Sequence, residues 1–314
     1  MSGAARGHLA MLAFSALVAG SFSLGRMAAP LISPDAFNAV RFVIAGGIML
    51  VWLRASGPIR PAAFAAPWRY LLLAGLFVFY FVTMFEGLKT AAPVSLSAVF
   101  TLTPVISAVF GWWLLRQATT LRMALALTIG GIGALWVVFR ADWQAFLGFA
   151  VGQGETIYFT GVLAHALYTP LLKRLNRGES AAEFNTGVLV TGAVLLLLWG
   201  GPSIVDTDWA RLPPIVWITL GYTATFATVV SFACLRFGAQ HLPSAKVMAY
   251  TYLVPSWVLV WELALGNGTP AGTILVGVGL TAIALLLLLR DEEARSPRAA
   301  EAAPASGTVR THRD

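Results

Sequence analysis

With 314 residues, 58% of them hydrophobic and only 11% charged, and a mean hydropathy of +0.77, the chain carries more apolar surface than one water-soluble globule of its size can bury. An ordinary soluble domain is excluded, and lipid is required as the solvent. The formal charge of +7 is no nucleic-acid footprint, because the basic residues lie in short loops between apolar runs and in the C-terminal stretch; the one cysteine, Cys234, excludes an internal disulfide and a thiolate metal cluster.

In chain order, apolar runs of about 20 residues, the length that crosses roughly 30 Å of hydrocarbon, predict helices near 8–25, 35–53, 67–88, 93–115 and 121–139. Five more follow near 152–172, 183–200, 213–235, 243–265 and 270–289. Amides in hydrocarbon must find partners within their own segment, so the runs are helices; the short alternating segments of a β-barrel are absent. The first run, with Arg6 before it and Met27-Ala28-Ala29 after it, also has the form of a secretory leader, but nine remaining spans would destroy the symmetry described next. The expectation is an all-α polytopic membrane protein of ten transmembrane helices, with a first five-helix repeat at 8–140 and a second, inverted one at 141–290. Residues 291–314, rich in Ala, Pro, Ser and charge, are expected to form a disordered cytoplasmic tail.

The repeat shows in a shared pattern: a polar hinge, about eleven apolar residues, a proline, and about ten more apolar residues. It runs from Phe85 to Gln117 around Pro104 and again from Arg236 to Gly268 around Pro255. Phe37-Asn38 is echoed by Phe184-Asn185, and Gly131 and Gly133 by Gly277 and Gly279. Five helices per half is an odd number, so the second copy starts on the opposite face of the membrane and is inverted. Duplicated membrane halves with broken helices mark secondary transporters. Sixteen of the 21 Lys and Arg residues fall on the side that holds both chain ends, against Arg26, Lys89, Arg140 and Arg211 on the other, with Arg41 inside the second helix. That bias places both termini in the cytoplasm.

Over about Leu9 to Arg290 the chain resembles a bacterial EamA-type member of the drug/metabolite transporter superfamily. The resemblance rests on Arg41-Phe42 with Ala45, on Leu-Thr-Pro-Val around Pro104 and on Leu-Val-Pro-Ser around Pro255. It implies a ten-helix inner-membrane fold whose central cavity, lined by both halves, exports amino acids or other small metabolites. Many such proteins end helices four and nine with Leu-Gly-Glu; here those places hold Gln117 and Asn267-Gly268, so no role of those glutamates is carried over.

The candidate solute-contacting residues come from polar positions in otherwise apolar helices. Tyr158, Gly161, His165 and Tyr168 share one face of the sixth helix, and His165 lies near mid-depth, either as a ligand group or as a packing hydrogen bond. Tyr80 and Thr83 with Gly87 mark one side of the third helix. Gly221, Thr225, Thr228 and Ser231 mark the eighth, lining a wet path or packing helices closely. Tyr252 shares a face with Pro255 and Glu262. Pro104 and Pro255 lie near the bilayer centre as static kinks or as gates. Glu262 is the carboxylate assigned to gating or proton coupling, Glu86 pairs with Lys89 at the interface, and Arg41 either neutralises such an acid or, the favoured reading, anchors at the headgroups. Trp52, Trp68, Trp112, Trp113, Trp199 and Trp217 belong to interfacial belts.

The resulting reading is a carrier that moves a small organic solute, outward, by rocking two halves in the lipid bilayer. No cofactor is called for, and without GxxxxGK[ST] the driving force is a gradient. An intramembrane enzyme is disfavoured because HExxH, GxSxG and paired intramembrane aspartates are missing; a non-transporting scaffold leaves the inverted duplication unexplained. Oligomeric state is left open, a monomer being sufficient.

Overall fold

The computed structural model describes residues 3–116, 121–139, 142–147, 151–242, 247, 249–268 and 272–293. The expected tail therefore lies almost wholly outside the described residues, as do Gln117, Arg140 and Lys246. The helices are α1 (Gly3–Ala28), α2 (Pro34–Ala55), α3 (Pro67–Leu88), α4 (Pro93–Phe100), α5 (Thr103–Leu115), α6 (Leu121–Val138), α7 (Trp143–Leu147) and α8 (Gln153–Leu175). They continue with α9 (Ala181–Trp199), α10 (Gly201–Asp206), α11 (Pro214–Ala224), α12 (Ser231–His241), α13 (Val254–Ala264) and α14 (Gly272–Glu293). Among the described residues six segments are long and apolar enough to cross a membrane: α1, α2, α3, Pro93–Leu115, α9 and Pro214–Leu235. Two apolar stretches, Ala124–Val138 and Gly272–Leu287, are shorter.

Local chemistry sets the boundaries. Proline opens α2, α3, α4 and α11, where its missing N–H costs nothing and its fixed φ suits the first turn. Ser180 and Glu183 form a reciprocal capping box at the start of α9, satisfying two amides that would otherwise be orphaned. The Arg26 guanidinium donates to the carbonyls of Leu88 (2.6 Å) and Lys89 (2.5 Å), placing positive charge at the negative end of α3.

The fourth span is not a kinked continuous helix. α4 stops at Phe100, Thr101 and Leu102 make a turn, and Pro104 is the second residue of α5. Pro255 holds the same position in α13, after a 3₁₀ turn at Tyr250–Leu253. The physical cause is common to both: a proline cannot donate to the carbonyl four residues earlier, and its ring crowds that carbonyl. The chain therefore tightens into i→i+3 bonding, as in Leu102 N–H to Val99 O at 3.1 Å, and restarts a helix with proline where the donor is not needed.

Packing pairs the helices across the two halves. α3 lies against α8 and α1 against α12, α2 packs on α9, and α6 packs on α14. The α2–α9 contacts run in opposite directions: Asp35 meets Gly200 and Ser203, Phe42 meets Gly192, Gly46 meets Leu189 and Val190, and Met49 meets Thr186. The two helices are antiparallel. So are α6 and α14, where Gly133 faces Gly277 and the Trp136 indole donates to Thr273 O at 2.9 Å. Lipid gives no hydrophobic drive between helices, so close van der Waals fit holds them, and small residues permit it. Of the four glycines expected to echo each other, Gly133 and Gly277 make the close approach, whereas Gly279 faces open space.

Polar clamps close the two ends. At one end the chain around the start of α3 binds the chain between the end of α8 and the start of α9: Arg60 bonds Glu183 at 2.6 Å, and buried Arg69 bonds Glu179 at 2.7 Å and Leu175 O at 2.6 Å. At the other, Lys89 bonds Glu86 at 2.6 Å, as expected for an interfacial pair, and Ser203 donates to Asp35 at 2.6 Å. Trp68, Trp112, Trp113, Trp199 and Trp217 are exposed on the outer surface, and Trp52 is half-buried.

An alanine at Gly133 would put its Cβ 2.6 Å from the carbonyl oxygen of Gly277, so Gly133→Ala should cost about 1–3 kcal/mol by overpacking. Thermal unfolding in detergent should show a lower midpoint for it and none for Gly279→Ala; an unchanged Gly133→Ala midpoint would contradict the contact. A second prediction concerns pH. Burial raises the Glu179 carboxyl, but the Arg69 guanidinium and the Arg177 amide outweigh it and hold the group below its ordinary value of 4.5. Its contribution is thus complete above that value and is lost as pH falls through the lowered one. Glu179→Gln should destabilise at neutral pH, because it removes the charge that faces the buried Arg69 guanidinium, and the gap to wild type should narrow on acidification. A gap that stays constant from pH 7 to pH 3 would contradict the clamp.

Candidate functional site

α3 and α8 meet through a glycine. A Cβ at Gly161 would overlap the Thr83 hydroxyl and lie 3.2 Å from the Tyr80 Cα, so the absence of a side chain there brings the two helices together. One turn to either side, their aromatic residues converge. The Tyr158 hydroxyl donates to that of Tyr80 at 3.0 Å. The His165 ring stacks on Tyr80 with centroids 4.4 Å apart, and Tyr168 stacks on Phe77 at 5.1 Å. Phe100, the last residue of α4, reaches His165 at 5.8 Å. The broken fourth span therefore borders the same cluster. Such offset contacts contribute about 0.5–1.5 kcal/mol each beyond burial, which makes the cluster a rigid wall.

Its polar atoms are incompletely used. Among the described residues, His165 Nδ1 and the Tyr168 hydroxyl are enclosed without a hydrogen-bond partner, and so is the Thr103 hydroxyl at the start of α5. Buried polar groups are ordinarily satisfied, and those that are not call for an explanation.

The structure places Tyr158, His165 and Tyr168 along one face of α8, as their helical spacing predicts, and brings Tyr80 of α3 against them. The other candidates make different contacts, Thr83 beside the cluster and the rest away from it. Thr83 packs on Gly161 and donates to the carbonyls of Phe79 and Tyr80 in its own helix, and Ser231 likewise donates to Ala227 and Thr228. Both hydroxyls serve helix packing and backbone bonding. Tyr252 is fully buried in a separate cluster with Ala126, Leu127 and Ala284, its ring against Gly130 and its hydroxyl without a partner. Glu262 sits in the last turn of α13, one oxygen accepting from Asn267 at 3.1 Å and the other buried without a partner.

Arg41 differs most from its expected place. It is not an anchor at the headgroups: it is 1% exposed, covered by α3 and the eighth span. Its Nε and Nη2 donate to the Thr228 hydroxyl at 3.3 and 3.1 Å, its Cζ lies 3.9 Å over the Phe81 ring, and its Nη1 has no partner. Thr228 belongs to a widened π-helical turn, Thr225–Val230, between α11 and α12; its hydroxyl donates to Thr223 O at 2.8 Å, which leaves its lone pairs for the guanidinium. Single π turns inside helices recur at functional sites. The sequence signal was available, since an arginine in an apolar helix with no acid within one turn is a functional group by default.

A second buried group went unmarked in the sequence. Glu155, in the first turn of α8, is buried and accepts from the Ser95 hydroxyl of α4 at 2.7 Å, tying the broken span to the helix that carries His165.

The comparisons agree with this architecture. The model of the EamA-like transporter family matches the chain twice, over residues 5–139 and 152–290. The chain is 25% identical over 280 residues to the uncharacterized transporter YyaM of Bacillus subtilis (strain 168), covering 87% of this chain and 92% of that one. It is 22% identical over 252 residues to the uncharacterized transporter YetK of the same organism, covering 79% and 76%. A solved crystal structure superposes with a TM-score of 0.67 at 17% identity, over 94% of this chain and 99% of that one, a likeness of fold. Two matches to one family model, spanning nearly all the apolar helices, place this multi-pass membrane protein in the EamA-like transporter family.

Proposed function

We propose that the protein is a secondary carrier that moves a small organic solute, an amino acid or related metabolite, outward across the bacterial inner membrane by alternating access. The proposed body is ten transmembrane helices in two inverted five-helix repeats, 8–140 and 141–290, with both termini cytoplasmic. One observation carries the reading: two proline-headed half-helices at matching places in two halves whose corresponding helices pack antiparallel. Antiparallel neighbours exchange under a twofold axis perpendicular to their length, which for membrane helices lies in the membrane plane. That is the symmetry by which one body presents two alternative openings. The end clamps fit the proposed grouping of loops, because Arg60 and Arg69 bond Glu183 and Glu179 at one end while Arg26 donates to the Leu88 and Lys89 carbonyls at the other.

In this mechanism the wall of Tyr80, Tyr158, His165 and Tyr168 faces the solute, and Pro104 and Pro255 open the half-helices that tilt. Glu262, with one buried oxygen unpartnered, is the candidate for proton coupling. No nucleotide-binding loop is present in the sequence, so a solute or ion gradient supplies the work.

Purified protein in liposomes, tested against labelled amino acids and amphiphilic cations with and without a pH gradient, should show saturable flux of at least one solute with no covalent product. His165→Ala should reduce that flux at least tenfold, and Glu262→Gln should abolish its response to the pH gradient. Turnover of a lipid or peptide without flux would favour an intramembrane enzyme instead.

A further inference from the structure

Taking a carrier as given, the chemistry around Arg41 narrows what it carries. A guanidinium is charged at every physiological pH, and a charge deep in a membrane protein is tolerated when it meets an opposite one or lines a polar cavity. Among the described residues no side chain of opposite charge meets Arg41. Glu155 is committed to Ser95, Glu179 to Arg69 and Glu183 to Arg60, and Glu262, with one oxygen unpartnered, is bonded through the other to Asn267; none of them pairs with Arg41. No ion pair to Arg41 occurs among the described residues. Its contacts are one neutral hydroxyl, Thr228, and one ring face, Phe81, and its Nη1 donates to nothing. Truncating a buried pair is costly because a bare charge remains; here the bare charge is the resting arrangement.

The surroundings are those of a receptor and not of a structural bridge. Thr228 and Phe81 fix the guanidinium from two sides, so its plane is set before any ligand arrives, while Nη1 is left over. Phe81 is edge-on to Tyr80 at 4.9 Å and to Phe77 at 4.7 Å, and those rings carry His165 and Tyr168. The positive charge and the aromatic wall with its unpartnered His165 Nδ1 are thus joined by one continuous run of contacts across α2, α3 and α8. The second half lacks the charge: where Phe37-Asn38 is followed by Arg41, Phe184-Asn185 is followed by Val188. The unmatched arginine therefore has no symmetry-related counterpart, and its charge belongs to one half alone.

We propose that Arg41 is the anion-binding group of the solute site and that the carried solute bears a carboxylate, held by Nη1, with its apolar part along the Phe77–Tyr80–His165 wall. One fixed positive charge matches a monoanion such as a carboxylate; a phosphate monoester would bring close to two negative charges to a single cation. The near-complete burial of Arg41 corresponds to a closed state, and rocking of the halves supplies entry.

The test is competition in liposomes. Labelled organic acids, zwitterionic amino acids, phosphate monoesters and amphiphilic cations are offered to the wild-type protein. Each transported acid is then competed with its own methyl ester and carboxamide. The expected result is flux confined to carboxylate-bearing solutes, with neutral analogues competing at least tenfold more weakly. Arg41→Gln should lower flux at least a hundredfold and erase the difference between acid and ester, Arg41→Lys should restore part of both, and Thr228→Val should weaken acid binding while sparing the ester. Equal competition by acid and ester in the wild type, transport of cations or phosphate esters alone, or an unchanged preference in Arg41→Gln would overturn the assignment of Arg41 while leaving the carrier intact. Absence of flux for every solute would overturn the carrier and this site with it. The wild-type competition needs no variant, so a misfolded Arg41→Gln does not shield the proposal.

Discussion

An amide in hydrocarbon has no water to bond, and that constraint governs where this chain is able to break. The fourth span is interrupted at Thr101–Leu102, and the interruption survives because protein encloses it: Thr101 and Thr103 are buried, and α6, α8 and α1 pack around the two half-helices. The tight i→i+3 bonds at Thr101 and Leu102 use the donors that proline's geometry displaces. The ninth span meets the same constraint with its 3₁₀ turn ahead of Pro255. Broken helices thus mark where the interior of the body lies, and the aromatic wall begins at Phe100, the last residue before the first break.

The two halves agree in packing and differ in chemistry. α8 binds α3 and α4 through Tyr158–Tyr80 and Glu155–Ser95. α1 in turn binds the eighth and ninth spans through Tyr222 to Leu17 O, Trp257 to Ser15 and Trp261 to Ala16 O. The hydroxyl–carboxylate contact that ties α8 to α4 is thus replaced by indole and phenol donors where α1 packs. The π-helical turn of the eighth span has no counterpart in the regular helix α3.

Much of the architecture was legible in the sequence because its causes are local. Apolar run length sets span limits, proline sets the breaks, and Tyr158, Gly161, His165 and Tyr168 converge because helical periodicity puts them on one face. The close approach at Gly133 and Gly277 was half legible: small residues announce packing, but Gly131 and Gly279, equally small, point elsewhere, and only the tertiary arrangement separates them. Arg41 was misplaced for a related reason. Its position seven residues into α2 gives its depth but not its cover, and the cover comes from Thr228, 187 residues away. Ser231 and Thr83 look like cavity hydroxyls in sequence, whereas a helix carbonyl one turn back was the partner within reach. Glu155 carried no visible pattern, since its partner Ser95 lies in another repeat.

The claim on which the account turns is that one buried position near the first break is reached from both faces of the membrane in turn. With Cys234 replaced by alanine and a single cysteine at Thr103, a membrane-impermeant thiol reagent should modify that cysteine in right-side-out vesicles and also in inverted ones. A transported solute should slow both reactions. Modification from one face only, or from neither, would contradict alternating access around this site.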